Sequence, residues 1–225
     1  MKFKFLLKNI FTPEGKVSIH IGTSLTANIL FTYFNSRSWK RAFIKLKKYN
    51  IALLPIDQFS KEEDYLTSVN GKNSAAYFSR RCSKLGYTFQ TFNPNHAIDA
   101  IFEINTSSSE RQGRAMEESY KKLVSEWPCD KIHKWFGIYS SDGKLVAYVW
   151  TYIVGEMVLI NRILGHGDFL KDNIMYLLMT SVVSEFIQVK ESNFIMYDTF
   201  GQVENGLVLF KKRIGFKPYT VNFKR

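Results

Sequence analysis

Cysteine is scarce in this chain, since only Cys82 and Cys129 occur. They are too few and too distant in sequence for a metal cluster, and we expect reduced, buried thiols in a cytoplasmic protein. The sequence also lacks an HExxH motif, a CxxC pair, a Walker loop and a Gly-x-Ser-x-Gly elbow. These absences remove support for metal-dependent hydrolysis, nucleotide hydrolysis and serine-nucleophile chemistry, and no metal cofactor is expected.

Long apolar runs are missing as well. No stretch approaches the ~20 apolar residues of a membrane span, and the short apolar run near the start is broken by Lys8, so neither a signal peptide nor a transmembrane segment is expected. Acidic residues are few, at 20 against 31 Lys and Arg, which gives a net charge of +11. This charge favours an anionic partner, such as nucleic acid, an acidic carrier protein, a membrane surface or a phosphorylated cofactor. A merely solubilising surface is an equally good interpretation.

The first third of the chain predicts a small, mixed region. We expect a strand at residues 2–11 and, at 17–33, either one or two strands or a strand followed by a helix. A basic amphipathic helix is predicted at 36–49, and an edge strand at 51–56 because Pro55 interrupts it. The polar stretch 62–70 reads as a connection. The chain would therefore divide into an N-terminal extension or half-domain, residues 1–70, integrated with the rest, and a main domain at 71–225.

The middle of the chain alternates helices and strands. Residues 74–85 predict a helix that Gly86 stops, and 87–92 predict a strand. Further helices are expected at 97–104 and 116–123, and a strand at 134–139.

The most informative stretch is 143–191, where two apolar runs, 144–154 and 157–163, flank Gly155-Glu156 as a hairpin would. A glycine loop follows, and then a segment with helical periodicity for which Asp172 is the expected N-cap. A glycine loop between a strand and a helix gathers free backbone N–H groups at the positive end of the helix dipole. Such a loop can hold a pyrophosphate.

The spacing Arg162-x-x-Gly165-x-Gly167 resembles the acyl-CoA pyrophosphate loop of the GNAT acyltransferase superfamily. Downstream, the predicted strand 193–200, helix 205–213 and Gly215-Phe216 before a last strand resemble the end of GNAT proteins. Residues 209–216 also look like the closing motif of the Fem peptidoglycan aminoacyl-transferases. The resemblance implies an α/β (α+β) fold with a mixed, mostly antiparallel sheet flanked by helices. The first 70 residues lie outside it.

The resemblance implies an N-acyltransferase that moves an acyl group from acetyl-CoA or another acyl-CoA to an amine of a sugar, amino acid or modified base. Its cofactor contacts would be Asn161, Arg162, Ile163, Gly165, His166 and Gly167, with backbone N–H groups of 161–163 for the oxyanion. By the same resemblance the acceptor site would comprise Glu103, Asn105, Arg111 and Arg114. The two arginines could grip a carboxylate or phosphate. The alternative is a helix–loop–helix whose arginines form surface ion pairs.

For the proton transfers we expect Asp198 as base or substrate anchor and Tyr197 as a donor, with His166 as a further candidate. The alternatives are that Asp198 belongs to a capped turn, that Tyr197 is an aromatic residue of the core, and that His166 is a neighbour of the phosphate. Many GNAT enzymes carry a Tyr four residues before the Gly of Gly-Phe, but here that position is Lys211, so the acid is not identified. Two other functions stay open: a Fem-like transferase that uses aminoacyl-tRNA, and a non-catalytic basic module that binds nucleic acid or a membrane.

Overall fold

The computed structural model describes residues 12–38, 44–45, 47–111, 114–200 and 205–225. The strand expected at 2–11 lies outside these residues. The strands are β1 (Gly15–His20), β2 (Arg37–Ser38), β3 (Ile44–Lys45), β4 (Ile51–Pro55), β5 (Thr88–Thr91), β6 (Glu110–Arg111), β7 (Arg114–Ala115), β8 (His133–Tyr139), β9 (Leu145–Val154), β10 (Met157–Gly165), β11 (Phe194–Thr199) and β12 (Lys217–Lys224). The α-helices are α1 (Leu25–Asn35), α2 (Glu62–Ser68), α3 (Ala75–Lys84), α4 (Ile98–Thr106), α5 (Ile174–Val189) and α6 (Asn205–Ile214).

The chain forms two compact units. The first unit joins Met1–Asp57, Ile153–Leu159 and Glu191–Arg225. In it β12 pairs in parallel with β1 and antiparallel with β4, and β4 also pairs antiparallel with β11. β11 in turn runs parallel to the first three residues of β10. Helix α1 packs on β12 through Phe34 and Phe223, whose ring centroids lie 4.5 Å apart.

The second unit comprises Gln58–Tyr152 and Ile160–Lys190. Its strands follow the order β10-β9-β8-β5, and β8 is antiparallel to both β9 and β5. Successive side chains of a strand point to opposite faces, so β8 serves two cores. Phe136 meets Phe186 of α5 on one face, whereas Trp135 joins Ile101 and Ile104 of α4 in a cluster on the other. This second group, here called the α4 cluster, also contains Trp127, Tyr148 and Trp150.

Strand β4 corrects the expectation of an edge strand. It is hydrogen-bonded on both sides, by β12 and by β11, and Ile51 to Leu54 are all buried. Pro55 is compatible with this position because it stands at the last residue of the strand.

The expected connection at 62–70 is also wrong. Residues 62–68 form α2, whose Tyr65 is fully buried and which packs against α5. The observed units also differ from a division at residue 70, because N-terminal strands find their partners near the C-terminus. Local polarity does not report such long-range pairing.

Two expected helices are wrong. The first was expected at 36–49, but helix α1 already ends at Asn35. Ser36 is extended, with ψ 144°, and the chain continues into the β2–β3 ribbon. Residues 39–43 and 46 of this stretch are not among the described residues. At 116–123 the only helical turn is a 3₁₀ turn at Glu118–Tyr120. In contrast, the structure has the strand followed by a helix at 17–33, and α3 with a Ser74 cap and Gly86 at φ 89°.

The two cysteines differ from each other. Both are unpaired thiols, but only Cys82 is buried and Cys129 is exposed, contrary to expectation. Burial raises the pKa of Cys82 to about 12. None of the helices in the described ranges combines the length and apolar character that crossing a bilayer requires. The fold class expected from the sequence, a mixed and mostly antiparallel sheet with helices packed on it, is confirmed.

Candidate functional site

The glycine loop follows β10, as predicted, but its backbone N–H groups already have acceptors. The N–H of His166 donates to the Val146 carbonyl oxygen at 2.7 Å, and that of Gly167 donates to Ser107 Oγ at 3.0 Å. The N–H of Asp168 donates to His166 Nδ1 at 3.3 Å. The geometry therefore contradicts the expected cradle of unpaired amides, because an anion would have to displace these partners.

The two glycines of the loop are required by packing. A Cβ on Gly165 would come within 2.6 Å of Met175 Sδ, and one on Gly167 within 3.0 Å of the Ser107 carbonyl oxygen. The long helix also begins late, because a 3₁₀ turn at Gly167–Asp172 precedes α5, whose N-cap is Asn173 rather than Asp172. The positive end of the α5 dipole is thus not at the glycines.

Arg111 links the predicted acceptor segment to the glycine loop. Its Nη1 donates to the Gly165 carbonyl oxygen at 2.7 Å, and its Nη2 donates to the Ile104 carbonyl oxygen at 2.9 Å and to Ser107 Oγ at 3.2 Å. Burial lowers the pKa of this guanidinium. The backbone of Arg111 pairs with Arg114 in the β6–β7 ribbon. Two segments that the sequence treated as separate sites are therefore in direct contact.

Glu103 and His166 form a small polar group at the edge of this region. Lys144 Nζ donates to Glu103 Oε1 at 2.6 Å, and this bond is the main cause that lowers the pKa of Glu103. His166 Nε2 lies 3.6 Å from the same oxygen. Because His166 Nδ1 accepts the Asp168 N–H, the neutral ring carries its proton on Nε2, facing Glu103. The Nε2 edge of the imidazole thus faces the carboxylate at 3.6 Å, slightly longer than a hydrogen bond.

Asn105 lies in the core beside the strands. It is 1% exposed, and its Oδ1 accepts a hydrogen bond from the Tyr148 hydroxyl at 2.7 Å. Burial raises the pKa of Tyr148, while Arg162 and Arg111 act in the opposite direction. The phenol therefore stays protonated and donates to Asn105.

Arg162 lies on an aromatic wall. Its guanidinium carbon is 4.3 Å from the ring centroid of Tyr120 and 5.4 Å from that of Trp127, in the range of cation–π contacts. Of the other residues predicted on this strand, Asn161 is exposed and Ile163 is half-buried. Sequence spacing assigned Arg162 to a phosphate loop, but strand alternation puts it on the same face as Leu164 of the α4 cluster.

Asp198 and Tyr197 belong to the first unit. Asp198 has φ 51°, in the left-handed region, and forms an ion pair with Lys47. Lys211 is 1% exposed and donates to the carbonyl oxygens of Tyr197 and Thr199 at 2.9 and 2.7 Å. Burial, with a smaller effect of Lys47, lowers the pKa of Lys211 to about 7. A buried amine thus fixes the two carbonyls on either side of Asp198.

Several residues of these arrangements were missed by the sequence analysis: Ser107, Tyr120, Trp127 and Tyr148. The period of two on β9 puts Tyr148 and Trp150 on one face, and this signal was available. The contacts of Ser107, Tyr120 and Trp127 depend on irregular segments and had no such signal. Among the described residues, no group of three or more His, Cys, Asp or Glu side chains could hold a metal ion.

Comparisons with known proteins give the fold. No family model matches the sequence, and no curated protein matches it. The structure is similar to the crystal structure of FemX, with TM-score 0.58 and 10% identity over 76% of this chain and 59% of that one. It is also similar to a tandem GNAT protein from the clavulanic acid biosynthesis pathway, with TM-score 0.50 and 14% identity over 94% of this chain and 59% of that one.

This chain spans about three fifths of the length of either of these proteins. Identities of this size show the fold alone. The chain has a GNAT-like fold.

Proposed function

We propose that this protein transfers an acyl group from an activated carboxyl donor to an amine acceptor, and that the acceptor binds against α4 in the second unit. In such a reaction the amine nitrogen attacks the carbonyl carbon, the bond to the leaving group breaks, and the amine loses one proton. The observation that carries the proposal is the buried Asn105–Tyr148 hydrogen bond, which lies beside Arg111 and Arg162 on a transferase fold. Buried polar groups in this concentration favour a site for a polar ligand.

The first candidate donor is an acyl-CoA, as the resemblance of the loop implies. Isothermal titration of the purified chain with acetyl-CoA tests it, with S-acetylpantetheine, which lacks the diphosphate, as the matched compound. A bound diphosphate makes acetyl-CoA the tighter ligand by at least about tenfold, the scale of one charge-assisted contact. Equal affinities, or no heat with either compound, exclude the glycine loop as a diphosphate site.

A second donor is an aminoacyl-tRNA. Two observations favour it: the N–H groups of His166, Gly167 and Asp168 are already taken, and the chain carries a net charge of +11. Binding to charged tRNA would then weaken steeply with salt, because phosphate contacts release counterions. Filter binding between low and moderate salt measures the slope. Binding of tRNA without transfer to any amine would instead support the non-catalytic alternative.

For the proton of the amine we propose His166 Nδ1 in the second unit, which would accept this proton in place of its 3.3 Å contact with the Asp168 N–H, while the Glu103 carboxylate stabilises the imidazolium from the Nε2 side. Asp198 and Tyr197 remain the alternative predicted from the sequence. Transfer assays on His166→Gln and Asp198→Asn separate the two, because each replacement keeps size and removes proton transfer. We expect His166→Gln to lose at least about a hundredfold in kcat, in line with general-base catalysis. A larger loss in Asp198→Asn would assign the base to the first unit.

A further inference from the structure

Among the described residues, five buried side-chain nitrogens of the second unit make no hydrogen bond; one of them, His133 Nδ1, lies 2.9 Å from Asp130 Oδ1, which leaves four buried N–H groups without any acceptor. They are Arg111 Nε, Arg162 Nη1, Trp127 Nε1 and Trp150 Nε1. The two indoles are well enclosed, with Trp127 5% and Trp150 9% exposed. Nearly all buried donors in folded proteins are paired, because an unpaired one loses its bonds to water and gains nothing. Four such donors in one region therefore require an explanation.

The four groups belong to side chains that lie side by side. The guanidinium of Arg162 is 5.4 Å from the Trp127 ring, and the rings of Trp127 and Trp150 are 5.7 Å apart. Arg111 is close enough for its charge to act on Tyr148 and Tyr120, as that of Arg162 does on Tyr148. The unpaired donors thus form one cluster around two phenol rings.

The charge of the cluster is also uncompensated. Within the described ranges, none of the ion pairs includes Arg111 or Arg162. Both guanidinium groups are partly buried, where a charge without a partner is costly. Two cations that lie among the same aromatic side chains, neither of them in an ion pair with a described carboxylate, favour an anion supplied from outside the chain.

We propose that Arg111, Arg162, Trp127 and Trp150 form a subsite for the carboxylate of the acceptor, so that the acceptor is an amine that also carries a carboxylate. This inference rests on the proposed function. The two oxygens of a carboxylate offer about four lone-pair positions, which equals the number of unpaired N–H groups. The rings of Trp127, Trp150 and Tyr120 would enclose the apolar part of the ligand. A phosphate offers more acceptor positions than these donors can fill.

Tyr120 covers the subsite in the present conformation. Its half-buried ring lies over the Arg162 guanidinium, and it ends the three-residue 3₁₀ turn. The turn is held by short-range backbone bonds, from Tyr120 N–H to the Glu117 carbonyl and from Lys121 N–H to the Glu118 carbonyl. A ligand carboxylate would displace the Tyr120 ring from Arg162 and leave the rest of the cluster in place.

Titration with phenylacetate, and with the neutral isostere phenylacetamide, tests the subsite without any donor or reaction. We expect phenylacetate to bind at least about tenfold more tightly to the full chain, because only it pairs with the arginines. The indole N–H signals of Trp127 and Trp150, assigned with Trp→Phe variants, should shift in ¹H–¹⁵N spectra. Equal affinities, or unmoved indole signals, would overturn the proposal, and so would tighter binding of phenyl phosphate.

Two variants complete the test. Arg162→Met should abolish the preference for phenylacetate, whereas Arg37→Met, which removes the same charge from an exposed position, should keep it. A preserved preference in Arg162→Met would sink the proposal, and the wild-type spectra decide the case if that variant does not fold. Binding of phenylacetate by a chain that transfers no acyl group would disprove the proposed function and leave the subsite standing.

Discussion

Each unit of this protein contains a buried basic side chain, but the two environments differ in the hydrogen-bond acceptors that they offer to its N–H groups. Lys211 in the first unit donates to two backbone carbonyls, so its burial is matched by hydrogen bonds. Arg162 in the second unit has a buried Nη1 without an acceptor. A buried cation without an unpaired N–H stabilises a local conformation, whereas one with a buried N–H that lacks an acceptor, as in Arg162 and at Arg111 Nε, can still bind a ligand. This contrast separates a structural lysine from a binding arginine.

The largest expected difference between the units concerns the free energy of unfolding that is lost when a turn glycine is replaced by alanine. A Cβ on Gly155 of the first unit would lie 2.2 Å from the His20 carbonyl oxygen, whereas one on Gly143 of the second would meet nothing within 4 Å. Both have positive φ, so alanine strains both backbones and only Gly155→Ala adds a clash. In urea denaturation we expect Gly155→Ala to lose about 3 kcal/mol or more, and Gly143→Ala about 1 kcal/mol. Similar losses would contradict the close packing of Gly155.

Replacing Lys211 and Arg162 by methionine should give the next largest difference in stability. Lys211→Met removes the two hydrogen bonds from Lys211 Nζ to the Tyr197 and Thr199 carbonyls, so we expect it to lower the free energy of unfolding by about 2 kcal/mol. Arg162→Met removes a group that lacks one partner, and we expect a change below about 1 kcal/mol. Lys16→Met, at an exposed position, is the control for loss of charge. If Arg162→Met is the more destabilising variant, the contrast fails.

The pH dependence of stability sharpens the assignment of Lys211. Its pKa falls from the ordinary 10.5 to about 7 in the folded chain. Between these values the unfolded chain holds a proton that the folded chain has released, so stability should rise with pH above 7. The rise is at most about 1.4 kcal/mol per pH unit, and it should be absent in Lys211→Met. Denaturant titrations at pH 7 and 9 measure it, and an equal rise in the variant would refute the lowered pKa.

We expect the smallest change in the free energy of unfolding for the exposed ion pair Glu103–Lys144. Its side chains are 50% and 38% exposed, so water screens the attraction. Glu103→Gln should lower the free energy of unfolding by no more than about 1 kcal/mol. A loss as large as that of Lys211→Met would show that Glu103 holds more than this surface contact.

Much of the fold could be predicted from local signals. Helix α3 has its Ser74 cap and Gly86, and the β9–β10 hairpin has its two-residue turn. The errors concern long-range structure. The sequence predicts an edge strand at β4 because it contains Pro55. The partners of β4, which are β11 and β12, lie far along the chain and give no local signal. The end of α1 at Asn35 was likewise missed, and the chain continues there into the β2–β3 ribbon.

The candidate site was predictable only in part. A polar segment with Asn105 and Arg111 signals a site, but nothing local shows that Arg111 reaches the Gly165 carbonyl. The glycines suggested a ligand because a sequence cannot distinguish close packing from an anion cradle, and here a Cβ would clash with Met175 or Ser107. The position of Arg162 followed from strand alternation, which the motif concealed.

The pairing of β12 with both β1 and β4 sets an order of events during synthesis. The strand β12, which lies between them, is made about 160 residues after β4 and about 200 residues after β1. Until then each presents an unpaired edge, which is a template for association with other chains. The sheet of the first unit can therefore close only after β12 has been made, and the edges of β1 and β4 stay open to premature contacts through that interval.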